Sequence, residues 1–164
     1  MRIVDSNDPT LPCATGEEGQ LLVRSPSMAQ GYVDGSMQVV DGHWPTGDLA
    51  TMDANASVHI TGRIKLLIDV GGYKVNPLEV EAVLSSHPGV AMCLVWGERA
   101  SDTVERLHAK YVASDPSNPV RSDTLRNFLK ERLSSLKVPR SLERVDSLPR
   151  GPTGKLLRRL PARG

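Results

Sequence analysis

The sequence predicts an α+β fold in two parts, because the residue pattern changes near Gly62 and Arg63. Before this point, short segments alternate apolar and polar residues between turn residues, which is typical of antiparallel β structure. After it, strand-like segments are interleaved with two stretches of helical apolar spacing. We therefore expect a β-rich first part and a small second domain whose helices cover a short sheet.

In the first part, strands are predicted at residues 20–24 and 57–61. Residues 16–19 form a turn-like segment before the first of these strands. Asn55 precedes the second, and it can adopt the left-handed backbone conformation that a hairpin turn often needs. Since no segment here has helical spacing of useful length, this part is predicted to be antiparallel β.

The second part is predicted to run β, α, β, β, α, β. Residues 66–70 are strand-like and lead into a sharp glycine turn or bulge. Asn76 and Pro77 supply the N-cap and the first-turn proline that open a helix through about residue 85. The remaining predicted elements are strands at 90–96 and 107–112, a charged loop at 98–106, a second helix that Ser122 caps, and a strand at 142–145.

The composition excludes several classes of function. Hydrophobic residues make up 39% of the chain, so it can bury a core, and a formal charge of +1 disfavours general binding to polyanions. No apolar run approaches the ~20 residues needed to cross a bilayer, and the N-terminus lacks the apolar stretch of a signal peptide. Cys13 and Cys93 have no redox or metal spacing, which favours a reduced, cytoplasmic compartment.

The four histidines give no metal spacing, so we expect no metal site from this chain's own ligands. We interpret all of them as surface or turn residues. They are His43, His59, His87 and His108.

Three polar residues are candidates for ligand contact at or before the boundary. Asp48 can accept hydrogen bonds from a pair of sugar hydroxyls, although the local pattern favours the simpler interpretation that Thr46 and Asp48 close a turn. Arg63 can offer a planar fork to a phosphate or a hydroxyl pair. Lys65 could hold one of several interdomain arrangements, or it could simply be solvated, which is the default for a single lysine.

A second candidate segment is the glycine turn that follows residues 66–70. Gly71 and Gly72 permit the close approach of a ligand or a strongly bent hairpin, with Tyr73 and Lys74 at its tip. A tight turn that feeds a helix explains the same spacing at least as well.

The last candidate is Lys155, which follows Gly154 near the C-terminus. The segment is not a phosphate-binding P-loop, because Pro149 stands where that motif needs its first glycine and Leu156 stands where it needs Ser or Thr. Lys155 can still serve as a point charge for a carboxylate or a phosphate. The alternative is a basic tail, since Arg158, Arg159 and Arg163 follow.

The order of these segments along the chain is more specific than any one of them alone. The series resembles the C-terminal part of the adenylate-forming superfamily, which includes acyl- and aryl-CoA ligases, nonribosomal peptide adenylation domains and luciferases. The resemblance covers nearly the whole chain. In order, its motifs are Gly19-Gln20-Leu21, Gly31-Tyr32, Asp41-Gly42-His43-Trp44, Thr46-Gly47-Asp48-Leu49, Gly62-Arg63, residues 72–81, Lys137-Val138-Pro139 and residues 148–155.

The resemblance implies a carboxylic acid–CoA ligase of fatty acid or aryl acid metabolism. Such enzymes use ATP to form an acyl-adenylate and AMP, and then transfer the acyl group to a thiol. The implied roles are ribose contact for Asp48 and Arg63, a hinge for Lys65, a pantetheine tunnel for Gly71, Gly72, Tyr73 and Lys74, and adenylation catalysis for Lys155. A cation at Lys155 would offset the repulsion between the substrate carboxylate and the α-phosphate.

The resemblance also implies domain bounds. Residues 1–61 are expected to be the last β subdomain of a large adenylating domain, residues 62–66 the hinge, and residues 67–164 a mobile lid that alternates between two positions. The large N-terminal portion, with its phosphate loop, adenine platform, Mg²⁺-binding Glu and acyl pocket, has no counterpart here. We therefore expect a C-terminal fragment that needs this portion as its partner and is inactive alone.

Two residues depart from the superfamily pattern, and the motifs leave two alternative functions open. Asp69 stands where many members of the superfamily carry a basic residue, and Asn55 replaces a common glycine. The loop at 71–77 and the ending from Pro152 look more like CoA ligases than peptide synthetase domains. The alternatives are an adenylation piece that loads a carrier-protein pantetheine, and a short binding module that docks on a partner enzyme.

Overall fold

A four-stranded antiparallel sheet forms most of the first unit of the chain, Met1–Leu66. The structure is a computed structural model that describes residues 1–27, 39–100 and 104–157. The strands lie in chain order across the sheet, and a 3-10 helix at Ile64–Leu66 follows them. They are β1 (Arg2–Val4), β2 (Gly19–Val23), β3 (Trp44–Met52) and β4 (Val58–Arg63).

The core of this unit is small. Ile3, Leu21 and Ala50 come from three different strands and bury their side chains together. Partly buried hydrophobic residues pack around them: Cys13, Val23, Met52 and Val58. A sheet with one such cluster gains its stability from few side chains.

The prediction for the turn between β3 and β4 is wrong in one residue. Ala56, and not Asn55, has the left-handed backbone, with φ +60°. The Asp53 carboxylate accepts hydrogen bonds from the N–H groups of Asn55 (2.9 Å) and Ser57 (2.8 Å), and this network closes the turn from its first residue. These bonds, the one from Ser57 foremost, hold the pKa of Asp53 below its ordinary value.

The second unit, Leu67–Gly164, is built on a long antiparallel hairpin. The hairpin strands and a parallel third strand form one sheet, and a separate short hairpin precedes it. The elements are β5 (Ile68–Val70), β6 (Tyr73–Val75), α1 (Pro77–Ser85), β7 (Val90–Arg99), β8 (Glu105–Ala113), α2 (Ser122–Lys130), a 3-10 helix at Ser135–Lys137, and β9 (Ser141–Arg144). The predicted α+β class is confirmed.

Two local predictions in this unit are wrong. The charged segment at 98–106 is strand at both of its ends, because Glu98 lies opposite Arg106, and Arg99 lies opposite Glu105, so that opposite charges pair across the hairpin. Ser122 does not cap α2: the N-cap is Arg121, and no side chain caps it. The cap predicted for α1 is confirmed, since the Asn76 side chain accepts the Leu78 N–H at 3.0 Å.

The core of the second unit is larger and lies between its helices and its sheet. Val80 and Leu84 of α1 and Leu125 and Leu129 of α2 are fully buried. They belong to one cluster with strand residues that include Tyr111, whose hydroxyl donates a hydrogen bond to the Val120 carbonyl at 2.9 Å. The apolar side of α2 therefore faces the core.

Each α-helix in the described part of the chain has nine residues. Neither is long and apolar enough to cross a membrane. The predicted cytoplasmic location stays a prediction.

Candidate functional site

Asp48 and Arg63 lie directly opposite each other on β3 and β4. The Arg63 Nε and an Asp48 carboxylate oxygen are 2.8 Å apart. The Asp48 side chain is 23% exposed and the Arg63 side chain 54%, so the carboxylate is half-buried while the guanidinium reaches solvent. The structure thus brings together two residues that the sequence separates by a complete hairpin.

A bulge in β3 determines where Asp48 points. The pairing of β2 with β3 shifts between Gln20 and Leu22, and extra residues of β3 are accommodated there. Gly47 takes the left-handed conformation at φ +74°. The Thr46 hydroxyl donates to the Leu21 carbonyl and accepts the Asp48 N–H, each at 3.0 Å. Thr46 therefore fixes the backbone, and this leaves the Asp48 carboxylate available to Arg63.

The predicted hinge, residues 62–66, includes the end of β4 and a 3-10 helix. Gly62 is buried in β4 opposite Leu49, and Arg63 ends that strand. Lys65 lies in the 3-10 helix and is exposed, and no ion pair to it is found among residues 1–27, 39–100 and 104–157. Three residues, Ile64–Leu66, thus separate β4 from the second unit, which begins at Leu67.

The glycine turn joins β5 to β6 as a two-residue hairpin. Gly71 and Gly72 have φ values of +65° and +90°, and a Cβ on either would meet no other atom within 4 Å. The left-handed backbone, and not a lack of space, therefore requires glycine here. Tyr73 lies opposite Val70 directly after the turn, and the residue is 65% exposed.

Asp69 braces this hairpin from within. Its carboxylate accepts a hydrogen bond from the Lys74 ammonium and another from the Gly72 N–H, both at 2.7 Å. These bonds, the one from Lys74 foremost, hold the pKa of Asp69 below its ordinary value. The Asp69 N–H in turn donates to the Glu105 carboxylate at 3.0 Å. The residue that departs from the superfamily pattern thus has a structural role, and Lys74 is paired.

Lys155 lies at the end of a second tight hairpin. Arg150 pairs with Leu156 across it, and the Gly151 N–H donates to the Lys155 carbonyl at 2.8 Å. Gly154, at φ +77°, makes the turn. Lys155 itself is exposed, and the described residues offer its ammonium no ion pair. A fixed backbone with a free cation at its end suits a group that contacts an anionic ligand.

Several residues of the resemblance motifs stabilise the fold. The Lys137 ammonium contacts the Glu79 carboxylate at 2.6 and 2.7 Å, which ties the 3-10 helix at Ser135–Lys137 to α1. Glu81 accepts the Val95 N–H at 2.9 Å and so ties α1 to β7. The sequence did not reveal these partners, because they lie 58 and 14 residues apart along the chain.

The described residues contain no cluster of three or more His, Cys, Asp or Glu that could hold a metal ion. His43, predicted to be a surface or turn residue, closes a turn with Val40, but it is only 7% exposed, and its Nδ1 lies 2.9 Å from the Asp41 carbonyl oxygen. A cavity of about 310 Å³ in the first unit is lined in part by Val4 and Leu22, and none of the candidate residues lines it. Two segments named in the sequence analysis lie outside the described residues: Gly31-Tyr32, and the basic residues Arg158, Arg159 and Arg163.

The chain thus consists of a β unit with a paired acid and arginine, followed by an α+β unit with two glycine hairpins. Residues 79–155 match the model of the AMP-binding enzyme C-terminal domain. This match covers 77 of the 164 residues, and the resemblance found in the sequence is confirmed.

Two relatives of the chain are a CoA ligase and an acyl-carrier-protein ligase by name. It is 38% identical over 150 residues to the 2-succinylbenzoate–CoA ligase of Bacillus licheniformis, covering 89% of this chain and 31% of the relative. It is 38% identical over 162 residues to the fatty acid–acyl-carrier-protein ligase ScoC of Streptomyces coeruleorubidus, covering 96% and 31%. The chain therefore spans about 31% of the length of these curated relatives.

A solved structure shows the same fold. It is o-succinylbenzoate CoA synthetase (MenE) from Bacillus subtilis in complex with its acyl-adenylate intermediate. The TM-score is 0.75 at 33% identity, and the match covers 95% of this chain and 32% of that one.

Proposed function

We propose that this chain supplies the C-terminal elements of an ATP-dependent carboxylic acid–CoA ligase. In the first step a carboxylate oxygen attacks the α-phosphorus of ATP, and the bond to pyrophosphate breaks. In the second step a thiol attacks the acyl carbon, and AMP leaves as the thioester forms. The observation that carries the proposal is Lys155, an exposed cation on a hydrogen-bonded turn in a chain that resembles this family.

The role proposed for Lys155 follows from electrostatics. The carboxylate and the α-phosphate are both anions, and they repel each other as they approach. An ammonium that contacts both lowers the energy of the transition state more than that of the separated reactants. Because no described residue neutralises Lys155, its charge is available for this purpose.

Asp48 and Arg63 are proposed to contact the nucleotide ribose. A half-buried carboxylate can accept hydrogen bonds from two neighbouring hydroxyls, and so Asp48 fits a ribose. Arg63 holds the carboxylate from one side and keeps it oriented, and its exposed guanidinium retains further donors for the nucleotide.

The β5–β6 hairpin is proposed to line the path of the pantetheine thiol. Gly71 and Gly72 carry no side chains and allow close approach, while Tyr73 offers an exposed ring to a flexible chain. Lys65, exposed in the short connection, is the proposed hinge for alternation between the two steps. In this proposal the N-terminal portion of the enzyme binds Mg²⁺, the adenine and the acyl group.

The test joins this chain to the N-terminal portion of the Bacillus licheniformis relative, in place of its aligned 31%. We expect Lys155→Ala to lower succinylbenzoate-dependent ATP–pyrophosphate exchange by about 100-fold or more. Thioester formation from supplied acyl-adenylate should stay within about threefold, since Lys155 acts only in the first step. Lys130→Ala, which removes an exposed lysine of α2, is the matched control and should change neither rate.

Two outcomes would contradict the proposal. Equal losses in both steps would remove the assigned role of Lys155. Pyrophosphate exchange by the 164-residue chain alone would show that it does not need a partner portion. The same protein tests the acceptor: CoA and a phosphopantetheinylated carrier protein compete for the supplied acyl-adenylate, and preference for the carrier would favour the function that the name of ScoC describes.

A further inference from the structure

The Arg150 guanidinium connects the turn that holds Lys155 to the sheet of the second unit. Its Nη1 donates to the Gly154 carbonyl at 2.8 Å. Its Nη2 lies 3.6 Å from the Met92 sulfur on β7, which is 58 residues away along the chain. One side chain therefore contacts both the peptide that enters Lys155 and a strand of the three-stranded sheet.

The Gly154 carbonyl is the position where such a restraint has the most effect. Glycine is the residue with the greatest backbone freedom, and Gly154 directly precedes Lys155. The orientation of its carbonyl fixes the peptide plane between the two residues, and that plane sets the direction of the Lys155 Cα–Cβ bond. A donor on this oxygen thus restrains the lysine side chain without touching it.

The backbone alone holds the rest of the hairpin. The Gly151 N–H donates to the Lys155 carbonyl at 2.8 Å, and the Leu157 N–H donates to the Pro149 carbonyl at 2.9 Å. Neither bond engages the Gly154 carbonyl, which accepts from Arg150 instead. The planar guanidinium directs one nitrogen to each acceptor in a fixed fork, whereas a lysine at this position would have a single ammonium on a flexible stem.

We propose that Arg150 is a positioning residue for Lys155: it fixes the Gly154 carbonyl and anchors the turn to β7, so that the ammonium is presented in one direction. This inference rests on the proposed function of Lys155 in adenylate formation. Arg150 itself need not touch the nucleotide, because both of its contacts are within the chain.

The first test measures the turn itself in the 164-residue chain by NMR. In Arg150→Ala, we expect the backbone order parameters of Gly154 and Lys155 to fall from about 0.85 to below about 0.6, while those of β8 stay unchanged. Arg150→Lys should give intermediate values. Arg144→Ala, which removes an exposed arginine of β9, is the control and should leave the turn as it is.

The second test measures both steps in the joined protein described above. Arg150→Ala should lower kcat for adenylate formation by about 10- to 100-fold, the usual effect of a misplaced catalytic group. The KM for ATP and the thioester step should stay within about threefold, and Arg150→Lys should restore part of kcat. A purely structural defect would instead slow both steps together.

The outcomes separate this inference from the proposed function. Unchanged order parameters at Gly154 and Lys155 in Arg150→Ala would overturn the positioning role, whatever Lys155 does. A raised KM for ATP at unchanged kcat would also overturn it, because it would show direct contact between Arg150 and the nucleotide. Full adenylation by Lys155→Ala would instead remove the proposed function.

Discussion

The two units hold their candidate residues in opposite ways. In Met1–Leu66, Asp48 and Arg63 lie on paired strands and neutralise each other across the sheet. In Leu67–Gly164, Tyr73 and Lys155 are exposed at tight turns, and the bracing contacts come from neighbouring residues. Strand register can thus place an ion pair, whereas the direction of a single exposed cation depends on the contacts that fix its turn.

The cores beneath these sites differ as well. The first unit buries one small cluster around Leu21, while the second buries a larger cluster that includes Leu125 and Leu129. When a few side chains are removed, a site on a small core loses a larger fraction of the packing beneath it. A large core provides a rigid base for turns that have little packing of their own.

The largest expected effect concerns these cores. Leu129→Ala should lower the free energy of unfolding of the second unit by about 2–5 kcal/mol, because a fully buried leucine leaves a cavity among close-packed neighbours. Leu21→Ala should fall at the low end of that range for the first unit, since its cluster is small and can relax. Urea titrations followed by amide exchange within each unit measure both values.

Leu136→Ala is the matched control for this comparison, because Leu136 is 41% exposed. It should change stability by about 0.5 kcal/mol or less. Equal losses for Leu21→Ala and Leu129→Ala would show that the two cores are equally tight, and the contrast between the units would then fail.

The next effect concerns the Asp48–Arg63 pair. A double-mutant cycle with Asp48→Asn and Arg63→Gln should give a coupling energy of about 0.5–1 kcal/mol, the upper part of the range for pairs at a surface, because Asp48 is half-buried. Arg2 and Asp41, 3.7 Å apart and mostly exposed, form the control pair and should give a coupling near zero.

Repeating the double-mutant cycle at high salt provides a second test of this pair. The coupling between Asp48 and Arg63 should shrink but persist at 1 M salt, since exposed pairs are screened more than half-buried ones. Coupling of equal size in both pairs would mean that strand register adds nothing to the pairing of Asp48 with Arg63.

The sequence predicted those features that depend on neighbours along the chain. The α1 cap at Asn76 is an example, because a capping side chain reaches only two or three residues ahead. The wrong predictions at Asn55 and Ser122 were also local, whereas the error at 98–106 depends on long-range partners. Arg99 and Glu105 form strand because they pair with each other across the hairpin, and no local pattern encodes that register.

The same distinction applies to the candidate site. The motif order identified Asp48, Arg63 and Lys155 singly, and their roles stay predictions. The sequence did not show that a bulge directs Asp48 toward Arg63, or that Arg150 reaches Met92. These contacts arise from strand register and from packing between segments that are distant along the chain, so only the folded structure reveals them.

The smallest expected effect compares one carboxylate in each unit. Asp53 and Asp69 both have a lowered pKa, but for different first reasons: backbone N–H donors, led by Ser57, at Asp53, and the Lys74 ammonium at Asp69. Because both folded-state pKa values are lowered, the turns keep these bonds at neutral pH. They lose them only as the pH falls through those lowered values.

Carboxyl ¹³C titrations of the 164-residue chain should therefore give midpoints below the ordinary aspartate range at both residues. Lys74→Gln should raise the Asp69 midpoint toward the ordinary value and leave Asp53 as it is, because only Asp69 contacts that ammonium. Added salt should likewise raise the Asp69 midpoint more, since the first cause there is a charged partner that salt screens, whereas at Asp53 the charged His59 contributes less than the Ser57 N–H. If Lys74→Gln left the Asp69 midpoint in place, the Gly72 N–H would be its main partner, and both units would brace their turns through the backbone.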